Sequence, residues 1–233
     1  MLGVALAAVA LLAGETVVID PGHNGANGAH PAEINRQVAI GGGETKACDT
    51  TGTATAGGYS ESSYNLAVAR SVARILRAEG ATVILTRRNN RGVGPCIDER
   101  ARIGNRAGAD AAVSIHADGG PPGGRGFHVI YPTRIEGLTD DIFAPSRRLA
   151  RVLRGAYEER TGLPRSTYVG GSGIVQRSDL GGLRLSDVPK VFIETGNMRN
   201  AADAAILESR RGRRRIAHGI ADGVRRFLGG QTP

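Results

Sequence analysis

Short apolar, β-branched runs recur along this chain, and stretches with helical spacing separate them. That alternation restricts the chain to an α/β fold. "TVVID" (16–20), "ATVILTR" (81–87), "AAVSIHAD" (111–118) and "PKVFIE" (189–194) read as strands, and "GFHVIYP" (126–132) alternates like a further one. Between the first two, Ser60 is placed to cap a helix, with Glu61 in its first turn. Leu66, Ala69, Val72, Ala73 and Leu76 then recur at helical spacing, and Gly80 ends the run. Residues 96–110 and 140–161 predict further helices, the latter stopping at Gly162, and 201–228 predict one or two more with arginines on the outer face. The segment 162–182 reads as loop with one or two short strands. The pattern predicts a single three-layer, doubly wound α/β domain over residues 15–230. Its sheet is mostly parallel but mixed, twisted, and of about six strands, with helices on both faces and right-handed crossovers.

Composition narrows the function classes. Hydrophobic residues make up 40% of the chain, enough for one core, and 30 Lys+Arg against 22 Asp+Glu give a net charge of +8. A basic surface suits an anionic partner such as nucleic acid, acidic lipid or a wall polymer. Nucleic acid is disfavoured: there is no Trp, aromatics are 4%, and no basic run is interleaved with stacking residues. The first fourteen residues, "MLGVALAAVALLAG", are too short to span a bilayer. They read as the remnant of an export signal lacking its basic start, with a buried strand or helix as the alternative. Export favours a disulfide between the only two cysteines, Cys48 and Cys96. It would close a loop of about 48 residues and stabilise the fold by ~4 kcal/mol on the chain-entropy model; the alternative is two reduced thiols. Residues 25–60 form a long Gly/Thr/Ala-rich excursion, within which 38–58 reads as a flexible, hairpin-like insertion anchored by Cys48. Such a segment either gates the site or is an idle surface loop.

The strand ends carry the chemistry. Ligands of open α/β sheets bind beyond the carboxyl ends of the strands. His23 follows "TVVIDPG", His116 ends "AAVSIH", Glu194 ends "VFIE", and Glu61 opens a helix that can face the same rim. Two imidazoles and a carboxylate form the donor set of a catalytic zinc, and a second carboxylate nearby would be a proton carrier. Spacing alone does not decide which glutamate takes which role. Asp20 and Asp118, close in sequence to the histidines, are candidates to orient them.

The blocks "TVVIDPGHNG", "ESSYNLAVARSVARILRAEGATVILTR", "ERARIGNRAGADAAVSIHAD" and "LRLSDVPKVFIETGNMRNAADAAILES" resemble, in that order, the zinc-dependent N-acetylmuramoyl-L-alanine amidases of the amidase_3 type, in their single-domain actinobacterial form. The likeness runs from about residue 16 to 228. It implies one zinc per chain held by His23, Glu61 and His116, Glu194 as the catalytic carboxylate, and Arg184 in a substrate-binding or structural role. His30 and His128 match no ligand position and read as a loop and a strand-face residue. The family often has Glu-Lys where this chain has Glu61-Ser62, which leaves the glutamate in place. The segment 38–58 looks inserted near the rim; no inhibitory helix or wall-binding domain is recognised. The implied activity is hydrolysis of the amide between the muramic lactyl group and L-alanine, by an exported, monomeric enzyme acting on peptidoglycan or muropeptide fragments. Two alternatives are a zinc peptidase cutting within the stem peptide and a non-catalytic binder of anionic wall polymer.

Overall fold

The computed structural model describes residues 11–230. Residues 1–10 of the expected signal remnant lie outside the described residues. The remainder forms a turn, in which Leu12 is buried and donates its N–H to Glu79 O at 2.9 Å.

Six strands form one mixed sheet. They are β1 (Thr16–Pro21), β4 (Thr82–Leu85), β5 (Ala111–Asp118), β6 (His128–Pro132), β7 (Ile174–Arg177) and β8 (Lys190–Asn197), in the order β4-β1-β5-β8-β6-β7. The first four in that order run parallel; β6 lies antiparallel to β8 and carries β7 parallel to itself. The remaining strands, β2 (Gln37–Ala39) and β3 (Thr45–Ala47), pair as a separate antiparallel hairpin. The hairpin expected within 38–58 thus ends at Ala47, and the chain after it runs to the site. The helices are α1 (Pro31–Ile34), α2 (Glu61–Ala78), α3 (Ile97–Arg106), α4 (Phe143–Thr161), α5 (Gly181–Arg184), α6 (Ala201–Glu208) and α7 (Arg210–Leu228).

Side chains alternate across the sheet and so build two different layers. Val17 and Ile19 of β1, Val113 and Ile115 of β5, and Val191 and Ile193 of β8 face a continuous core with Val68, Val72 and Leu76 of α2, Leu149 and Leu153 of α4, and Ile216 and Ile220 of α7. Ser60 caps α2 by accepting from Ser63 N, and Gly162 ends α4 at φ 67°, a left-handed cap. Both helix boundaries fall at the residues the sequence predicted.

The opposite face is thin. Its apolar cluster is Val18, Ala109, Ala112 and Val188, and polar ties do the rest. Arg100 of α3 is buried and donates to Asp20 Oδ1 at 2.7 Å and Asp49 Oδ2 at 3.0 Å. The Cys48–Cys96 disulfide joins the residue after β3 to the N-cap of α3. Gly181 and Gly182, expected as the end of a loop, instead open α5. Its glycines let it sit close: a Cβ on Gly181 would lie 2.6 Å from Ile40 Cγ2 and 2.7 Å from Ile97 Cδ1. The last strand also runs three residues past the predicted Glu194, to Asn197.

Candidate active site

The carboxyl rim of β1, β5 and β8 gathers the predicted residues. His116 and Glu194 are direct partners in the β5–β8 register. His23 leaves β1 with φ 56°. A non-glycine residue in this left-handed region is uncommon and mildly strained. Arg100 Nη2 holds the turn by donating to His23 O at 3.1 Å. Glu61 is the first residue of α2, which the cap at Ser60 aims at the rim.

Two imidazole nitrogens meet on one oxygen. Glu61 Oε1 lies 3.2 Å from His23 Nε2 and 3.0 Å from His116 Nδ1. The ligand atoms of the three residues all lie within 4.8 Å of one another. The other Glu61 oxygen accepts from Thr53 N at 2.9 Å, which fixes the carboxylate plane. His23 Nδ1 lies 3.0 Å from Thr50 O and 3.2 Å from Asp49 Oδ1; a proton there leaves Nε2 as the lone-pair donor. The His116 ring stacks on Phe192 at 5.1 Å and meets His23 edge-on at 4.9 Å. Two glycines make the space. A Cβ on Gly22 would sit 2.1 Å from His116 Cε1, and one on Gly52 would sit 2.7 Å from Glu61 Oε2 and 2.7 Å from His23 Cδ2.

The electrostatics fit a cation. Burial opposes charge on His23, but the Glu61 carboxylate and the bond to Asp49 prevail and raise its pKa to about 10. Burial likewise opposes charge on Glu61, yet the two imidazoles hold its carboxyl well below the usual range. The pocket therefore demands positive charge between these groups. Two neutral imidazoles and one carboxylate are the donor chemistry of a divalent metal site. Glu194 has the contrary environment. Burial, then the nearby Glu61 and Asp118 carboxylates, push its carboxyl well above the usual range, and its buried Oε2 has no hydrogen-bond partner.

Other candidates fall elsewhere. Asp20 does not orient a histidine. The strand alternation turns it to the α3 face, where it accepts from Arg100, from Thr86 Oγ1 at 2.5 Å and from Ser114 Oγ at 2.7 Å. Asp118 accepts from Tyr168 Oη at 3.0 Å rather than from His116. Arg184 is buried, with Nε on Ile40 O at 3.0 Å, Nη2 on Gly41 O at 3.0 Å and Nη1 on Glu44 Oε1 at 2.8 Å. Its guanidinium holds the hairpin. His30 is an exposed loop residue and His128 a buried strand residue, as expected. Sequence reasoning missed Asp49, Thr50 and Arg100, which form a chain from the sheet to His23. The one signal for them was Cys48, whose disulfide pulls the adjacent Asp49 toward the rim.

Fold and site together define a class: a hydrolase on an open α/β sheet, with a metal-type donor set and an unpaired carboxyl at its carboxyl rim. Within that class, the family model of N-acetylmuramoyl-L-alanine amidases, Amidase_3, matches residues 17–226, and the chain belongs to this family. The chain is 43% identical over 227 residues to the N-acetylmuramoyl-L-alanine amidase Rv3717 of Mycobacterium tuberculosis, covering 97% of this chain and 92% of that one. The crystal structure of the N-acetylmuramyl-L-alanine amidase Ami1 from Mycobacterium smegmatis superposes with a TM-score of 0.88 at 44% identity, over 94% of this chain and 99% of that chain. Ami1 from Mycobacterium abscessus gives 0.87 at 44%, over 93% and 99%. The amidase from Clostridium difficile 630, at 23% identity over 93% of this chain and 97% of its own, shares the fold with a TM-score of 0.70.

Proposed function

We propose that this chain hydrolyses the amide between the lactyl group of N-acetylmuramic acid and L-alanine of peptidoglycan stem peptides, with one zinc ion held by His23, Glu61 and His116. The observation that carries the reading is the convergence of both imidazoles on one Glu61 oxygen, at 3.2 and 3.0 Å, beside the unpaired carboxyl of Glu194. A zinc ion in such a set supplies Lewis acidity, polarising the scissile carbonyl and making water a stronger acid. Glu194 takes the proton of the attacking water and returns it to the leaving amine nitrogen. Burial and the nearby carboxylates raise its pKa, which makes its carboxylate a stronger base than an exposed glutamate. Asp49 and Thr50 keep the His23 proton on Nδ1, so that Nε2 offers its lone pair. Phe192 keeps the His116 ring plane fixed.

The disulfide fits an exported enzyme acting in the cell wall. No helix among the described residues is long and apolar enough to cross a membrane. The test is metal content together with mass spectrometry of the products from a defined muropeptide. We expect one zinc per chain, a free muramic lactyl carboxylate and a new L-alanine amino terminus. Cleavage inside the stem peptide would make the chain a peptidase instead. Stoichiometric zinc with no hydrolysis would leave only a wall binder.

A further inference from the structure

Among the described residues Arg177 is the arginine lining the cleft that also holds Glu61, Asp118 and Glu194, and the mechanism above does not use it. It ends β7, and the sheet register brings it to the working face. Glu194 pairs with His128, Phe192 with Ile130, and Pro132 with Arg177. Residues two apart along a strand share a face, so Arg177 stands on the face of Glu194. Its side chain lines the same cleft as Glu61, His116 and Glu194. Histidines apart, the other ionisable groups lining that cleft are Glu61, Asp118 and Glu194, all acidic.

The guanidinium is held along one edge only. Nε and Nη2 donate to Asp179 at 2.8 and 2.6 Å. Lys46 of the hairpin fixes Asp179 in turn, with Nζ 2.6 Å from its carbonyl oxygen and 3.3 Å from Oδ2. Among the described residues Nη1 has no hydrogen-bond partner, and the side chain is 43% exposed. A guanidinium is a rigid fork, so an arginine oriented along one edge presents the other edge ready for a carboxylate. Two cations against one carboxylate also leave this cluster with a net positive charge.

We propose that Arg177 is a specificity-determining residue that favours substrates with a free carboxylate on the peptide side of the scissile amide. The inference rests on the amidase reading above. In the substrate the lactyl carboxyl is tied up in the scissile amide and the N-acetyl groups are neutral, so the sugar beside the scissile bond offers a guanidinium nothing to pair with; a stem peptide carries carboxylates. Lys46 and Asp179 are positioning residues that keep the fork aimed into the cleft.

The test uses two muropeptides, identical except that the free carboxylate of the residue after L-alanine is a primary amide in the second. The wild-type enzyme is expected to favour the acid by about tenfold in kcat/KM, mostly through KM, as for a charge-assisted pair at a partly exposed site. In Arg177→Gln the ratio falls to about one, Arg177→Lys recovers part of it, and Asp179→Asn lowers it. Equal kcat/KM for the two substrates in the wild type would overturn the proposal. So would an Arg177→Gln variant that keeps the preference or lowers both rates alike, the latter placing Arg177 in the support of Glu194 instead. Failure of the wild type to cut either substrate at the lactyl amide would overturn the amidase reading itself, which separates that failure from a loss of selectivity.

Discussion

The two faces of the sheet hold the molecule together by different means. Beneath α2, α4 and α7 lies a continuous apolar core with fully buried Leu149, Leu153, Ile216 and Ile220. Beneath α3, α5 and the hairpin, an apolar cluster of four buried residues is supplemented by Arg100 on two carboxylates, by Arg184 on the hairpin carbonyls and by a disulfide. A hydrophobic layer tolerates small shifts, because its forces are non-directional. A hydrogen-bonded layer has one good geometry, and a metal ligand needs that kind of placement. Asp49, Thr50 and Arg100, which hold His23 from the Nδ1 and backbone side, belong to the second face, while Glu61 reaches the rim from the start of α2. Stability and activity should therefore separate on the apolar face and travel together on the polar one.

The sharpest test of that division leaves stability alone. Glu194→Gln should lower kcat by on the order of 10²–10⁴ while zinc content and thermal midpoint stay within error. Turnover within tenfold of the wild type would remove Glu194 from the proton transfer.

A matched pair of core variants tests the comparison itself. Arg100→Met removes the guanidinium that the buried Asp20 and Asp49 carboxylates share and should cost ~3–5 kcal/mol, with zinc affinity falling as His23 loses its anchor. Leu153→Ala on the other face should cost ~2–5 kcal/mol by leaving a cavity, with kcat/KM per folded molecule unchanged. Denaturant titration alongside metal content decides. If both variants lose zinc in proportion to stability, the two faces are not functionally distinct.

Removing the disulfide as Cys48→Ser with Cys96→Ser should cost ~4 kcal/mol on the chain-entropy model. It should also weaken zinc binding, because Asp49 and Thr50 follow Cys48 directly. Unchanged zinc affinity in the folded variant would show that Arg100 alone fixes Asp49.

The smallest effect concerns pH. Burial lowers the pKa of His128 to about 4, although the Asp118 carboxylate opposes the shift. The unfolded chain binds a proton there below about 6.5, whereas the folded chain does so only near 4. This contribution to stability is therefore intact above about 6.5 and is lost as the pH falls toward 4, at on the order of 1 kcal/mol per unit. His128→Gln should flatten the slope between pH 6.5 and 4.5 in chemical denaturation. An identical slope in both proteins would mean that His128 is protonated in the fold.

Much of this layout is legible in the chain. The strand runs place His23, His116 and Glu194 at one rim because sheet topology, not sequence distance, decides what meets. The cap at Ser60 likewise fixes where Glu61 starts its helix. The structure departs where a side chain's direction depends on packing. Asp20 shares the sheet face of His116, but one pleat deeper, where Arg100, Thr86 and Ser114 take its carboxylate. Asp49 sits in a stretch without helical or strand period, and its role exists only once the hairpin closes and Arg100 is in place. Arg184 could be read as facing substrate or scaffold; the hairpin carbonyls that occupy it have no sequence signature. The choice of Glu61 over Glu194 as the expected ligand came from resemblance; in the structure Glu61 lies beside both imidazoles.

Gly22 and Gly52 have a consequence for how this site would look to genetics. Neither contributes an atom to the chemistry, yet the space beside each is already filled by His116 or by Glu61 and His23. In a saturation screen scored on cell-wall hydrolysis, both positions should reject every substitution as firmly as the ligands do. Sensitivity would then mark an essential set larger than the reacting one, with part of it composed of side chains the chain must do without.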